Sequence, residues 1–359
     1  MPSIKDVARV AGVSDKTVSR VVNREPNVKP ETFRRVEQAI QDLGYVPNRA
    51  ARLVRSRKSQ VLGILTDLVS VTPYSNDIVR GAQAWAHANG YTVIVVNTNG
   101  DDDTEKAAWR TFQEHSIEGV LYVTMYHRLI NLQASDCPLP TVLVNCRSTA
   151  DQSLISVTPD DYRGSQALTR HVLEQGHRRI GYIRLNPVLF GAEERYRAFQ
   201  DVVREWGIPD ASITTKIGMS GVVGQEIDHS YQVTQNMLQQ DAPPTVIMCG
   251  NDEIALQAYL GALTLGHRIP DDVSIVGHDD FKTVSKALKP ALTTAALPYY
   301  DLGFRASEAL YGVISGEGAT GSAGSVKMDC PMVRRESVRP LPDSQRSLAD
   351  AGGNARHKD

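Results

Sequence analysis

From residue 61 onward, short apolar stretches of strand length alternate with longer amphipathic stretches, through two successive halves of the chain. The first half predicts strands over 61–65, 91–96, 120–123 and 141–144 and helices over 76–89 and 104–115. The second half predicts helices over 161–175, 192–206 and 252–265 and strands over 180–183, 246–249 and 273–276. This order is typical of α/β folds in which helices cover both faces of parallel sheets, so we expect two similar lobes with a cleft between them.

Length and composition narrow the class of protein. The chain has 359 residues, 41% hydrophobic and 22% charged, which predicts two or three water-soluble globular domains and no membrane partner. The N-terminus lacks the basic and apolar regions of a secretory signal, and the four cysteines lie far apart without a C-x-x-C pair. We therefore expect a cytoplasmic protein without disulfides, metal or cofactor.

Basic and acidic residues are distributed unevenly along the chain. Residues 1–58 carry 13 Lys and Arg against 6 Asp and Glu, whereas the remainder carries 26 basic and 35 acidic side chains. A small basic segment on a larger acidic body is expected when only the small segment meets a polyanion, although a solvated basic helix would give the same count.

The basic segment itself predicts three helices. Apolar residues recur at helical spacing over 3–11, with Ser3 as the N-cap and Asp6 as its capping partner, and Gly12 permits a tight turn. Ser14 can cap a second helix through residue 22, and Pro30 opens a third that ends at Gly44. Two short helices around a glycine turn form a helix-turn-helix.

Polar residues at the front of the second helix suit DNA. Asp15, Lys16, Thr17, Ser19 and Arg20 are predicted to point away from the small core, where Arg and Lys can bind phosphates or guanine. Asp15 can accept from cytosine, which weakly favours a half-site containing G·C pairs, but it could equally stabilise the helix N-terminus through its charge.

The segment Ile4–Asn23, IKDVARVAGVSDKTVSRVVN, together with Leu43–Arg52, LGYVPNRAAR, resembles the DNA-binding head and hinge of the lactose repressor (LacI/GalR) family. The resemblance implies a helix-turn-helix head over 1–47 and a hinge over 48–58 that folds on operator DNA and wedges an apolar side chain into the minor groove. The wedge position falls on Val54, where the family usually has leucine, or on its neighbour Leu53. Lys29 stands where the family often has a serine cap.

The implied DNA-binding residues lie in the second helix and the hinge. They are Ser14, Asp15, Lys16, Thr17, Ser19, Arg20, Asn23, Asn48, Arg49, Arg52, Leu53 and Val54. Arginines around an Ala-Ala-Arg-Leu-Val stretch can fold once phosphates neutralise them, and the alternative is a basic interdomain linker.

Polar residues follow the predicted strands of the body, at the strand ends where open parallel sheets bind ligands. Asn145, Asn251 and Asp279 each follow a strand, Arg195 opens the helix after 180–183, and Tyr74 or Phe281 can supply an aromatic surface. Amide, carboxylate and guanidinium groups with aromatics suit a sugar-like ligand. Each residue also has a structural alternative, since Asp279 or Asn251 could cap a helix and Arg195 could be a surface charge.

The family resemblance continues to about residue 339 through 174–183, 249–255 and 268–281. It implies a two-lobed, type I periplasmic-binding-protein-like effector and dimerisation domain over 59–339. Within it, Arg195 matches the arginine that holds effector hydroxyls, Asp279 matches the effector-binding aspartate, and Asn251 resembles the cleft asparagine. Asn145 stands where many members have an aspartate.

Other motifs do not support an enzyme. The G-x-G-x-x-G match over 316–321 follows a helical run over 302–315 instead of a strand, and the chain has no G-x-S-x-G, H-E-x-x-H or Walker A sequence. The Gly- and charge-rich residues 340–359 predict a disordered tail.

The sequence therefore predicts a homodimeric repressor that binds palindromic operator DNA and senses a mono- or oligosaccharide, with a nucleobase as another possible effector. A sugar-binding protein of a transport system and a sugar- or nucleotide-acting enzyme are the alternatives. The missing signal segment and the basic head oppose the first, and the lack of a catalytic constellation opposes the second.

Overall fold

A computed structural model describes residues 2–22, 25–45, 58–68, 76–316 and 326–341. The chain falls into two compact units that divide between Ser59 and Gln60. Most of the predicted hinge and of the C-terminal tail lies outside the described residues, and so does most of the G-x-G-x-x-G segment.

The first unit contains three helices: α1 (Ile4–Ala11), α2 (Asp15–Val22) and α3 (Pro30–Leu43). The predicted capping box is present, because the Ser3 hydroxyl accepts from the Asp6 amide and the Asp6 carboxylate accepts from the Ser3 amide. Gly12 and Gly44 end α1 and α3 with φ angles of 62° and 59°, a conformation that favours glycine. Lys29 is the N-cap residue of α3, and its side chain forms no capping hydrogen bond, as expected for a lysine in this position.

The second unit consists of two lobes. In chain order its elements are β1 (Val61–Thr66), α4 (Asn76–Ala88), β2 (Thr92–Asn97), α5 (Asp102–Glu114), β3 (Gly119–Ile130), β4 (Thr141–Ser148), β5 (Ser156–Pro159), α6 (Asp161–Glu174), β6 (Ile180–Arg184), α7 (Phe190–Glu205), β7 (Ile213–Ile217), β8 (Met219–Ser220), β9 (Ile227–Asp228), α8 (Ser230–Leu238), β10 (Val246–Cys249), α9 (Asp252–Thr264), β11 (Ser274–Val276), α10 (Lys282–Ser285), β12 (Thr294–Ala295), α11 (Tyr299–Ser315), β13 (Val326–Met328) and β14 (Met332–Val333).

Each lobe is built on a parallel sheet. The first lobe has the strand order β13-β5-β4-β3-β1-β2, and the second has β11-β10-β6-β7. The central strands β1 and β10 are buried along their whole length, as their continuous apolar runs require in sheets covered on both faces. The chain passes between the lobes at 159–161, 295–299 and 328–332, which confirms the predicted two-lobed α/β architecture.

Helices α4 and α11 cross at two glycines on the first lobe. A Cβ atom added at Gly81 would lie 1.9 Å from the carbonyl oxygen of Tyr300, and one added at Gly303 would lie 1.9 Å from that of Ile78. The helix backbones therefore approach more closely at this crossing than side chains would allow.

Several predicted boundaries were wrong. Helix α5 begins at Asp102 instead of residue 104, because Asp101 is the N-cap and its carboxylate accepts from the Thr104 amide at 2.7 Å. Arg195 does not open its helix but lies in the second turn, because α7 begins at Phe190. The sequence prediction also missed β5, the partly polar edge strand β7, helix α8 and the β8–β9 hairpin.

None of the described helices is long and apolar enough to cross a membrane. Within the same residues, no cluster of three His, Cys, Asp or Glu side chains is placed to hold a metal ion.

Candidate functional site

Helix α2 presents the predicted polar face of the first unit. Val18 and Val21 are buried, whereas Asp15, Lys16 and Arg20 are exposed. The Ser14 hydroxyl accepts from the Thr17 amide at 3.2 Å and so caps the start of α2. Arg20 Nε lies 3.6 Å from Glu25 Oε2, an exposed pair that leaves the guanidinium accessible to solvent.

The remaining predicted DNA-binding residues divide into two groups. Thr17 and Ser19 are half-buried on α2, and Ser14 is exposed beside them. The others lie outside the described residues: Asn23, Asn48, Arg49, Arg52, Leu53 and Val54.

In the second unit, four of the predicted effector residues line one cavity between the lobes: Asn145, Arg195, Asn251 and Asp279. The cavity has about 360 Å³ of space outside the protein atoms, including solvent at its mouth. Its aromatic walls are Tyr126 and Tyr299, and its apolar walls include Leu185, Leu189 and Leu297. The predicted Tyr74 lies outside the described residues, and Phe281 is not among the residues that line this cavity.

Arg195 lies at the centre of a buried ionic network. Its Nε donates to Asp161 Oδ1 at 2.7 Å, and its Nη1 donates to the Gly250 carbonyl at 2.7 Å. The same Nη1 lies 3.1 Å from Asp279 Oδ1, but that oxygen accepts no well-directed hydrogen bond. Burial favours the neutral guanidine, yet Asp161 and then Asp279 outweigh it and raise the pKa of Arg195. Arg195 is therefore a fixed cation whose Nη2 group forms none of these contacts.

Asp161 is a central residue that the sequence analysis did not identify. It is the first residue of α6, is 1% exposed, and accepts from Arg195 through one oxygen. Its other oxygen lies 2.6 Å from His127 Nδ1. Burial would raise the pKa of Asp161, but Arg195 and then His127 overcome that effect and lower it. Asp161 therefore holds both Arg195 and a histidine from the other lobe.

Asn145 combines a structural and a binding role. Its φ of 59° lies in the left-handed region, which asparagine tolerates. Its Nδ2 donates to the carbonyls of Thr124 and Met125 at 3.0 and 3.2 Å, in the irregular part of β3 between Val123 and Arg128. Its Oδ1 is buried without a hydrogen-bond partner and lines the cavity.

Asn251 has the capping role that its position also suggested. Its Oδ1 accepts from the Ile254 amide at 2.8 Å, so it is the N-cap of α9, while its side chain also lines the cavity. Asp279 has a φ of 118°, an uncommon conformation held by two backbone hydrogen bonds: its amide donates to the Ala295 carbonyl, and its carbonyl accepts from the Leu297 amide. Both polar groups are therefore fixed before any ligand arrives.

A second, polar cavity lies in the first lobe on the other side of the irregular part of β3. Asp67 forms an ion pair with Arg128 there and accepts from the Met125 amide at 2.9 Å, and Tyr122 donates to Glu105 at 3.0 Å. Asp67 and Asn145 thus hold the same backbone segment from opposite sides.

Both units are similar to the corresponding parts of known proteins. Residues 3–48 match the family described as bacterial regulatory proteins of the lacI family, and residues 58–335 match periplasmic binding proteins and the sugar-binding domain of the LacI family. The sucrose operon repressor of Escherichia coli is 34% identical over 341 residues, covering 94% of this chain and 100% of that repressor.

Solved structures show the same fold. A transcriptional regulator described as LacI-family, from Rhizobium etli, is 51% identical with a TM-score of 0.75, covering 79% of this chain and 100% of that one. The lac repressor dimer bound to operator and an anti-inducer is 24% identical with a TM-score of 0.73, covering 94% of this chain and 99% of that one.

Proposed function

Because the chain belongs to the LacI family of bacterial regulatory proteins, we propose that it is a repressor whose α2 reads operator DNA and whose interlobe cleft binds a small-molecule effector. Its relatives are transcriptional repressors, and the chain is a ligand-responsive transcriptional regulator and not an enzyme. The proposed work on DNA supports a cytoplasmic location.

The observation that carries the effector site is the meeting of four distant segments at one cavity. Asn145 lies in β4, Arg195 lies in the second turn of α7, and Asn251 and Asp279 follow β10 and β11, yet all four line the space between the lobes. They offer fixed donors and acceptors beside Tyr126 and Tyr299, an arrangement suited to hydroxyl groups on a ring that packs against aromatic faces. A mono- or oligosaccharide is the effector class that this chemistry favours.

DNA recognition follows from α2. Lys16, Thr17, Ser19 and Arg20 face a major-groove half-site in this proposal, and residues 48–58 act as the hinge. One small helical unit buries too little surface to select an operator, whereas a homodimer with two such units matches a palindrome. Effector binding changes the closure of the lobes and thereby the spacing of the paired DNA-binding units.

The test is binding of the full-length protein to DNA fragments from around its own gene, across a salt series and with a panel of sugars. Saturable, sequence-selective binding that one sugar relieves would support a repressor with an inducer, and binding that a sugar strengthens would make that sugar a corepressor. Weak and steeply salt-dependent binding to every fragment would contradict the proposal.

A further inference from the structure

Two acceptor oxygens of the interlobe cavity accept no well-directed hydrogen bond from the protein. Asn145 Oδ1 and Asp279 Oδ1 line it and are buried without a well-directed hydrogen bond, and these two residues are 1% and 8% exposed. Buried polar atoms usually have partners, so these oxygens call for a ligand that brings hydrogen-bond donors.

Several carboxylates lie in or near the cavity wall. Arg195 is the one Lys or Arg among its described lining residues, and Asp161 already faces it. Asp279 lines the cavity, and Glu226 and Glu253 lie close enough to the lining residue Tyr126 to raise the pKa of its hydroxyl beyond the effect of burial.

Glu226 reaches this region from the β8–β9 turn. Its Oε2 accepts from the Gly224 amide at 2.9 Å, while its Oε1 is buried without a partner. A Cβ atom added at Gly224 would lie 2.8 Å from a methyl group of Leu68 on the first lobe, so this turn of the second lobe spans the cleft.

Glu253 approaches from the first turn of α9. Its Oε2 lies 3.4 Å from Asn251 Nδ2, beside the cavity wall. Burial and then the Asp279 carboxylate raise the pKa of Glu253, with smaller effects from Asp228 and Glu226. Carboxylates also surround the Tyr126 hydroxyl. Burial is the largest cause that raises the pKa of this hydroxyl, and the carboxylates of Glu226, Glu253, Asp279 and Asp67 raise it further. One cavity wall thus faces carboxylates on several sides.

We propose that the effector of this regulator is a polyol that carries a protonated amine, that is, an amino sugar. Its hydroxyl and ammonium groups supply donors to Asn145 Oδ1 and Asp279 Oδ1, and its positive charge offsets Glu226 and Glu253. An anionic effector such as a sugar phosphate would instead place a further negative charge beside these carboxylates. This inference rests on the proposed function, because it assumes that the cleft is the effector site.

The test compares each amine with its neutral N-acetyl form. Isothermal titration calorimetry of the full-length protein at pH 7 would use D-glucosamine, D-galactosamine and D-mannosamine and their N-acetyl counterparts. We expect at least one amine to bind about tenfold or more tightly than its N-acetyl form, the order of one charge-assisted interaction. Equal or tighter binding of every N-acetyl form would overturn the proposal.

Two isosteric variants test whether carboxylates of the cleft cause the preference for the amine over its N-acetyl form. Glu226→Gln and Glu253→Gln should each lower the amine to N-acetyl affinity ratio about fivefold, because a charged acceptor becomes neutral. Glu205→Gln, on the exposed end of α7, is the matched control and should leave the ratio unchanged. A loss that is equal for both sugars would indicate a merely structural role for Glu226 and Glu253 and would contradict the proposal.

Operator binding by the same preparation distinguishes failure of the amino-sugar inference from failure of the proposed function. If the protein binds its operator but none of the six sugars, the amino-sugar inference fails and the DNA-binding part of the proposed function stands. If an amine binds selectively but no operator is bound, the proposed function fails while the specificity of the cleft is supported.

Discussion

His127 Nδ1 of the first lobe lies 2.6 Å from Asp161 Oδ2 of the second, so a buried hydrogen bond joins the lobes across the cleft. Phe190 packs edge-on against the His127 ring at 5.0 Å, and Arg195 holds the other oxygen of Asp161. The two lobes are thus joined by a chain of contacts that begins in β3 and ends in α7.

Removing this hydrogen bond should loosen the cleft. In His127→Leu, Asp161 keeps Arg195 but loses its contact with the first lobe. We expect amide hydrogen exchange over 124–127 and at the start of α6 to become about tenfold faster, the order of one hydrogen bond to a charged group. Arg110→Ala, at an exposed position of α5, is the control. Exchange rates equal to those of the unaltered protein would show that the contact does not hold the lobes together.

The contributions of Arg195 and Asp161 to the stability of the fold should depend on each other. Arg195→Ala leaves the buried Asp161 carboxylate without its main cation, so we expect a loss of about 3–5 kcal/mol in the free energy of unfolding. Adding Asp161→Asn should restore part of that loss, because the carboxylate that accepted from Arg195 Nε is then replaced by a neutral amide. Urea denaturation of both single variants and the double variant measures this coupling, and simple additivity would argue against it.

His177 should make stability depend on pH. Burial lowers its pKa to about 4, and Nε2 donates to the Arg339 carbonyl at 3.1 Å, with Nδ1 2.9 Å from the Thr245 hydroxyl. The unfolded chain takes up a proton near the ordinary value of 6.5, so the folded state loses stability as pH falls from about 6.5 to 4, by up to roughly 3 kcal/mol. Above that window this contribution is constant.

Denaturant midpoints from pH 7 to pH 4 check this prediction. His177→Gln should show a weaker pH dependence over the window, whereas His87→Gln, at an exposed position of α4, should behave as the unaltered chain. An unchanged slope in His177→Gln would assign the effect to other groups.

Gly81→Ala should destabilise the first lobe although alanine favours helices. The added Cβ would lie 1.9 Å from the Tyr300 carbonyl oxygen, so α4 and α11 must move apart, at a cost of about 1–3 kcal/mol. Helix propensity alone would instead stabilise α4 by up to about 1 kcal/mol. Thermal unfolding shows whether Gly81→Ala lowers or raises the stability of the protein. Gln83→Ala, on the exposed side of α4, is the control.

Arg20→Ala should weaken operator binding without changing sugar affinity. The guanidinium is exposed on α2 and held only by a surface pair with Glu25, so it is free to contact DNA. We expect about a tenfold loss in operator affinity and, if the contact is to a phosphate, a salt slope smaller by about one. Gln38→Ala on α3 serves as the control, and an unchanged operator isotherm would remove Arg20 from the interface.

Local signals made the helix-turn-helix and the main strands predictable. Ser3 and Asp6 form a capping box within one turn, and Val246–Cys249 is a continuous apolar run of strand length. The meeting of Asn251 and Asp279 at one cavity was also predictable, because they follow β10 and β11 and parallel sheets bring strand ends to one edge. Asn145 and Arg195 line the same cavity, but Asn145 lies inside β4 and Arg195 lies in the second turn of α7.

The rest of the site depends on contacts that no local pattern encodes. His127 and Asp161 are 34 positions apart in different lobes, and nothing near either residue indicates the other. Strand β7 escaped prediction because ITTKI is a partly exposed edge strand without an apolar run. Glu226 gains its importance only because the β8–β9 turn reaches Leu68.

The crossing of α4 and α11 at Gly81 and Gly303 has a mechanical consequence. Backbones in direct contact leave no layer of side chains over which the two helices could slide. Any closing movement must therefore be absorbed in the connecting segments at 159–161, 295–299 and 328–332. In such a movement α4 and α11 would be displaced together, with the packing between them unchanged.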